Sequence, residues 1–235
     1  MGRIFEKRKH KMFARYAKMA KAFTRIGKEI AIAVKQSGPN PDHNPRLRMC
    51  IQNAKSVNMP KERVDSAIKR AVSKDEKDYE EITYEGYGPH GIGIVIECAT
   101  DNPTRTVANI RLCFNRGGGA LGKTGSLDFM FERKGIFKID PAGKNSDDLE
   151  LELIDFGAEE VYEDEANIII QTSFSDFGAM QKGLEQLGLT VISAELTRIP
   201  NTQTELTPEQ EQEVQELIDK IEDDDDVQAV YSNMK

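Results

Sequence analysis

Gly117-Gly118-Gly119-Ala120-Leu121-Gly122-Lys123-Thr124 satisfies the spacing G-x-x-x-x-G-K-[ST]. In a phosphate-binding loop those residues do defined work. Backbone amides surround the phosphates, the lysine meets the terminal ones and the hydroxyl holds magnesium. That chemistry needs a strand before the loop and a helix after it, so that the amides and the helix N-terminus point at the anion. Here the order is reversed. Val107, Ile110, Cys113 and Phe114 form a helical stripe before the glycines, and the run GSLDFMFE after Lys123-Thr124 alternates like a strand. The sequence therefore predicts a glycine-rich connection from helix to strand rather than a site of ATP or GTP hydrolysis. Lys123 is kept as a candidate phosphate contact toward a nucleic acid.

No other catalytic pattern stands out. The chain has no G-x-S-x-G and no H-E-x-x-H. Its cysteines, Cys50, Cys98 and Cys113, form no C-x-x-C pair, and each sits among apolar residues. Buried free thiols and a cytoplasmic location are the expectation. His10, His43 and His90 have no ligand spacing to one another or to the cysteines, so no metal is expected. With 40 carboxylates, proximity of two acids by chance is certain and identifies no catalytic pair. The chain is expected to be no enzyme, with a cryptic site between two α+β domains as the distant alternative, and to need no cofactor.

The other chemistry on offer is electrostatic. Lys7 to Lys35 has the period of an amphipathic helix, with Phe13, Tyr16, Ala17, Ala20, Phe23, Ile30 and Val34 on one side. Lys11, Arg15, Lys18, Lys21 and Arg25 fall on the other, and Glu29 is the only acid. Cations on an exposed helix are normally interleaved with glutamates, which reduce self-repulsion. Left uncompensated, they point to a polyanion. The whole chain has a net charge of −8, yet residues 1–70 hold 18 Lys/Arg against 5 Asp/Glu. The remaining residues hold 14 against 35. A basic third hidden in an acidic protein predicts nucleic-acid contact, by DNA or ribosomal RNA. The candidate contacts on the first helix are Lys7, Arg8, Lys9, Lys11, Arg15, Lys18, Lys21, Arg25 and Lys28. Arg46, Arg48, Lys61 and Arg63 lie on the next two helices. Charge reversal at Arg15, Lys18 and Arg25 is expected to weaken binding and leave the fold intact. The acidic remainder is a candidate surface for the ribosome or other basic proteins, with the run Asp223–Asp226 either competing for the basic face or solubilising the chain.

Periodicity and caps define the elements that position these residues. Gly38-Pro39 ends the first helix; Asn44 caps and Pro45 opens a second, with Leu47, Ile51, Ala54 and Val57 inward. Asn58 and Pro60 repeat the arrangement before a third, with Val64, Ile68, Ala71 and Val72 inward. This is a basic all-α domain over 1–79, its last residues a charged linker. From Glu81 the period changes to 2. The order is β-β-α-β, with the last strand running from Ser126 through Phe131. Residues 133–202 then read β-α-β-β-α-β, the ferredoxin-like pattern. A final helix and strand supply what the first unit lacked. The expected architecture is α+β: three N-terminal helices and two ferredoxin-like domains, 80–132 with 203–235 and, inserted, 133–202. No run of apolar residues is long enough to span a membrane, and the N-terminus has no secretory apolar segment.

Three stretches carry a resemblance. NPRLRMCIQNAKSVNMPKERVDSAIKRA, YEEITYEGYGPHGIGIVIECATDNPTRTVANIR and GSLDFMFERKGIF resemble the corresponding stretches of the YebC/PmpR family, which also contains the mitochondrial translational activator of cytochrome c oxidase subunit I. The resemblance runs from about Lys21 onward. It departs at the opening, where the chain has MGRIFEKRKHKMFARYAK in place of a Gly-His-Ser-Lys-Trp-like segment and contains no tryptophan. It implies an N-terminal helical domain, two α+β domains, one inserted in the other, and a non-enzymatic regulator of gene expression. For the bacterial members it implies DNA-binding transcriptional regulation; for the mitochondrial relatives, and some bacterial ones, the ribosome and translation.

Overall fold

The computed structural model describes residues 2–73 and 78–235, with side chains from residue 18 onward. Three helices come first: α1 (Gly2–Ser37), α2 (Pro45–Ser56) and α3 (Lys61–Val72). Asn44 fixes the first corner. Its Oδ1 accepts from Leu47 N at 3.0 Å, while its Nδ2 donates to Ala33 O and Gly38 O, both at 2.8 Å. One buried side chain thus caps α2 and ties it to the end of α1. Ile30, Leu47, Cys50, Ala54, Val64 and Ala71 bury the facing stripes. Two expectations fail here. Asn58 adopts φ 58° to leave α2, and α3 begins after Pro60 with no side-chain cap. Val72 is 58% exposed rather than inward, because α3 ends there.

Two four-stranded antiparallel sheets come next. The first contains β1 (Glu80–Tyr87), β2 (Gly93–Thr100), β3 (Ala120–Leu121) and β8 (Val227–Ser232), in the order β3-β1-β2-β8. Helices α4 (Pro103–Arg116) and α7 (Pro208–Glu222) supply Ile110, Phe114, Val214, Leu217 and Ile221 against Ile94, Ile96 and Cys98 of the sheet. The second contains β4 (Phe131–Ile139), β5 (Ala158–Asp164), β6 (Asn167–Ser173) and β7 (Val191–Pro200), in the order β5-β6-β4-β7. With α5 (Ser146–Leu153) and α6 (Phe177–Gln186) it has the ferredoxin-like succession β-α-β-β-α-β. Phe137, Ile139, Leu149, Leu153, Ile170 and Leu184 form its core.

The chain between the sheets differs from the expected strand over 126–131. The strand after α4 is the two-residue β3, residues 128–130 form a 3₁₀ turn, and extended backbone resumes at Phe131, inside β4. The cause lies 40 residues upstream. The buried Glu85 carboxylate accepts from Gly125 N at 2.8 Å and Leu127 N at 2.6 Å, which folds the segment back on itself. Leu127 then packs with Val95 and Phe131.

Candidate nucleic-acid interface

Of the cations on α1 whose side chains are described, Lys21, Arg25 and Lys28 reach toward the rest of the molecule. Lys28 Nζ donates to Ala99 O at 2.9 Å, Asp225 O at 2.8 Å and Asp226 Oδ1 at 2.8 Å. Arg25 Nε donates to Val227 O at 3.2 Å, and Lys21 pairs with Asp223. The acidic turn after α7 therefore docks on the cationic stripe of α1. Asp226 is the centre of this contact. Its other oxygen accepts from Thr100 Oγ1 at 3.0 Å, Thr106 Oγ1 at 2.8 Å and Arg105. Burial alone would raise its pKa, but the hydrogen bonds from Arg105, Lys28 and Thr106 hold it well below the usual carboxylate range.

The expected contacts divide accordingly. Lys7, Arg8, Lys9, Lys11 and Arg15 lie outside the described side chains. Lys21, Arg25 and Lys28 are engaged as above. Arg46 pairs with Glu81 and donates to Gln36 Oε1 at 2.9 Å. Arg48 donates to Pro41 O at 2.9 Å and Asp42 O at 3.1 Å and lies 3.4 Å from Glu185. Lys18, Lys61 and Arg63 are exposed and make no ion pair among the described residues. Arg63 lies over the Phe23 ring at 5.6 Å, which steadies the guanidinium without neutralising it. Lys55, Lys69 and Arg70 are likewise exposed and unpaired among the described residues, so the open cationic surface is centred on α3. Glu62 and Asp65 interrupt it. The four residues 57–60 between α2 and α3 are compatible with a helix-turn-helix.

A groove of about 1030 Å³ is lined by residues of α1, α2 and both sheets. Lys18, Glu29, Arg133, Glu195 and Tyr231 are among its lining residues. Burial pushes the Glu29 carboxyl up to about 7, with Glu81 and Glu195 adding to the rise and Arg46 and Arg25 opposing it. A lining of both signs is unlike a channel for a polyanion. Arg133 stacks on Phe174 with 3.7 Å between guanidinium carbon and ring centroid. Lys123 is exposed on the loop after β3. Its Lys-Thr pair runs into a turn, not a helix, so the loop lacks the helix N-terminus that a nucleotide phosphate requires. Among the described residues no group of three His, Cys, Asp or Glu is placed to hold a metal ion, and no helix is long and apolar enough to cross a membrane.

Sequence reasoning missed two residues that hold the molecule together, Asn53 and Glu85, and named Asp226 only within the run Asp223–Asp226, left open between competing for the basic face and solubilising the chain; in the structure that run docks on α1. In the sequence Glu85 looks no different from its strand neighbours Glu80 and Glu81, and only the fold shows it 3% exposed.

Comparison with known proteins places the chain. Residues 3–74 match the model of the TACO1/YebC protein N-terminal domain, and residues 79–234 match that of the TACO1/YebC second and third domain. A protein of Cytophaga hutchinsonii named "Probable transcriptional regulatory protein" is 63% identical, over 100% of this chain and 98% of its own. One of Parabacteroides distasonis with the same name is 56% identical, over 100% and 97%. The crystal structure of a conserved hypothetical protein from Aquifex aeolicus superposes with a TM-score of 0.79 at 35% identity, covering 93% of this chain and 91% of that one. With both of its parts matched end to end, the chain belongs to the TACO1/YebC family.

Proposed function

We propose that this chain is a DNA-binding regulator of transcription and not an enzyme, with α3 and the first half of α1 as its duplex-facing surface. One observation carries the reading. Lys55, Lys61, Lys69 and Arg70 are exposed without ion pairs among the described residues, while Lys21, Lys28 and Arg46 have acid partners within the molecule. The names of the relatives agree with a regulatory role. Lysine and arginine on α3 meet phosphates and fix orientation, and base reading falls to side chains at the helix ends.

The test is anisotropy of a labelled duplex across a salt series, with Lys61, Arg63, Lys69 and Arg70 reversed to Glu. Removing one phosphate contact reduces the slope of log K against log salt by about 0.9. Unchanged affinity in the reversed variant would remove α3 from the interface. A second reading is association with ribosomal RNA and activation of translation. It rests on the same cations, since phosphate contacts do not distinguish the polymers. Crosslinking in cells with recovery of both DNA and RNA separates them: discrete promoter DNA supports the first, ribosomal RNA with co-sedimentation on ribosomes the second.

A further inference from the structure

The loop joining β3 to β4, residues 122–130, is held from inside and left bare outside. Glu85 is the inner support, accepting from Gly125 N and Leu127 N, with Ser126 Oγ at 3.4 Å. A carboxylate is costly to bury unless its lone pairs are filled, and here the loop backbone fills them. Gly125 takes φ +83°, which lets its amide point at Glu85. The other end is tied as well. Asn201 donates its Nδ2 to Phe129 O at 3.0 Å and its backbone N to Met130 O at 2.8 Å.

A loose loop would fold its aromatic residue away from water. This one cannot, and Phe129 stays 73% exposed. Tyr87 on the neighbouring strand is 41% exposed, and its hydroxyl lies 4.0 Å from Met130 Sδ. Lys123 and Thr124 are exposed on the same loop. Asp128 offsets the charge of Lys123, so the loop has no surplus cation to attract a polyanion by charge alone. It offers a fixed aromatic face with one ammonium on the same pinned turn.

We propose that this loop is a binding site for an unpaired nucleotide of a single strand, whose base stacks on Phe129 while its phosphate meets Lys123. The proposal rests on the reading of the chain as a nucleic-acid-binding protein, but it concerns another surface and another form of the polymer. Bases in a duplex stack on each other and present no free face, whereas unpaired bases stack readily on aromatic side chains. The loop lies beside β3, at the edge of the first sheet opposite β8, next to which α1 is anchored.

The test uses the absence of tryptophan from the chain. Phe129→Trp places a single reporter at the site, and Leu151→Trp, at a residue 76% exposed on α5, serves as the control. Both full-length variants are titrated with 12-residue oligo(dT) and oligo(rU) and with a blunt-ended DNA duplex. The expected result is saturable quenching of the Phe129→Trp emission by the single strands only, and a silent control. By anisotropy, Phe129→Ala should weaken single-strand binding on the order of 5- to 100-fold. Lys123→Ala should lower the single-strand salt slope by about 0.7. No quenching, equal quenching of both reporters, or unchanged affinity in Phe129→Ala overturns the proposal. Quenching that persists in a protein with no duplex affinity keeps this site and removes the duplex reading alone.

Discussion

The Asn53 side chain makes two hydrogen bonds to one backbone unit of β7: Nδ2 donates to Ala194 O at 2.8 Å, and Ala194 N donates to Oδ1 at 3.0 Å. The amide imitates a neighbouring strand. β7 is an edge strand of the second sheet, so α2 covers an edge that would otherwise offer unpaired groups to other chains.

Asn53→Leu should therefore loosen the helical unit without disturbing the second core. Leaving the Ala194 amide and carbonyl unpaired costs about 1–3 kcal/mol. Hydrogen exchange is the measurement: faster exchange at Ala194 and along α2, with Phe137 and Ile170 still protected, is the expected pattern.

Asp226→Asn should be among the most damaging single changes. It leaves the Lys28 ammonium, with its side chain 11% exposed, without its countercharge. Breaking a buried pair in this way costs about 3–5 kcal/mol. Acid should do the same to the wild type. The folded pKa of Asp226 is depressed, so its contribution is full above the unfolded value of about 3.9 and is lost as pH falls toward the folded one. Urea midpoints between pH 5 and pH 2 should converge for the two proteins.

Glu29 works in the opposite sense. Its pKa is raised from 4.5 to about 7, so the folded state holds a proton that the unfolded state has released. Stability from this group is full below pH 4.5 and is lost as pH rises through about 7. Glu29→Gln should make the protein more stable at pH 8 by about 2–3 kcal/mol and flatten the decline between pH 5 and 8. Equal slopes in the two proteins would show that the groove does not hold Glu29 in its protonated form.

Charge reversal on α1 should separate fold from binding. The sequence alone suggests that Arg25 can be reversed with the fold intact. In the structure its guanidinium donates to Val227 O, next to the acidic turn, so Arg25→Glu should lower the thermal midpoint. Lys18→Glu, on an exposed residue, should change nucleic-acid affinity and leave the midpoint within about 1–2 °C, as surface substitutions do. The comparison needs only calorimetry and the duplex titration.

The thiols should be slow. Burial pushes Cys50 and Cys98 up to about 12, and burial is also the main cause raising Cys113. At pH 8 a thiol reagent should label the half-buried Cys113 first and reach the other two only on denaturation. Rapid labelling of Cys50 in the native protein would contradict the packing of α1 on α2.

The features legible in the sequence were those that local period and caps determine. Gly38 ends α1, Asn44 and Pro45 open α2, and the apolar alternation of the strands gives the succession of elements in both sheets. The cationic character of α1 was equally plain. The sequence hides which cations have partners, because those partners are distant: Lys28 meets Asp226 and Arg46 meets Glu81. The same holds for 126–131. Its alternation is a strand signal, overruled by Glu85 bending the backbone from another element. Asn58 shows a local ambiguity, since asparagine serves both as a cap and as a left-handed exit, and here it is the exit.

The clasp between Lys28 and Asp226 joins residues 198 positions apart. Contacts of such separation must overcome a large loop-closure entropy before they stabilise anything, so they form late. During synthesis the helical unit emerges first, while its anchor, encoded near the C-terminal strand β8, has yet to be made. For that interval Lys21, Arg25 and Lys28 are bare on a nascent chain beside the ribosomal RNA that is producing it. Completion of β8 gives them partners, and exposed cations such as Lys61 and Lys69 stay without one among the described residues.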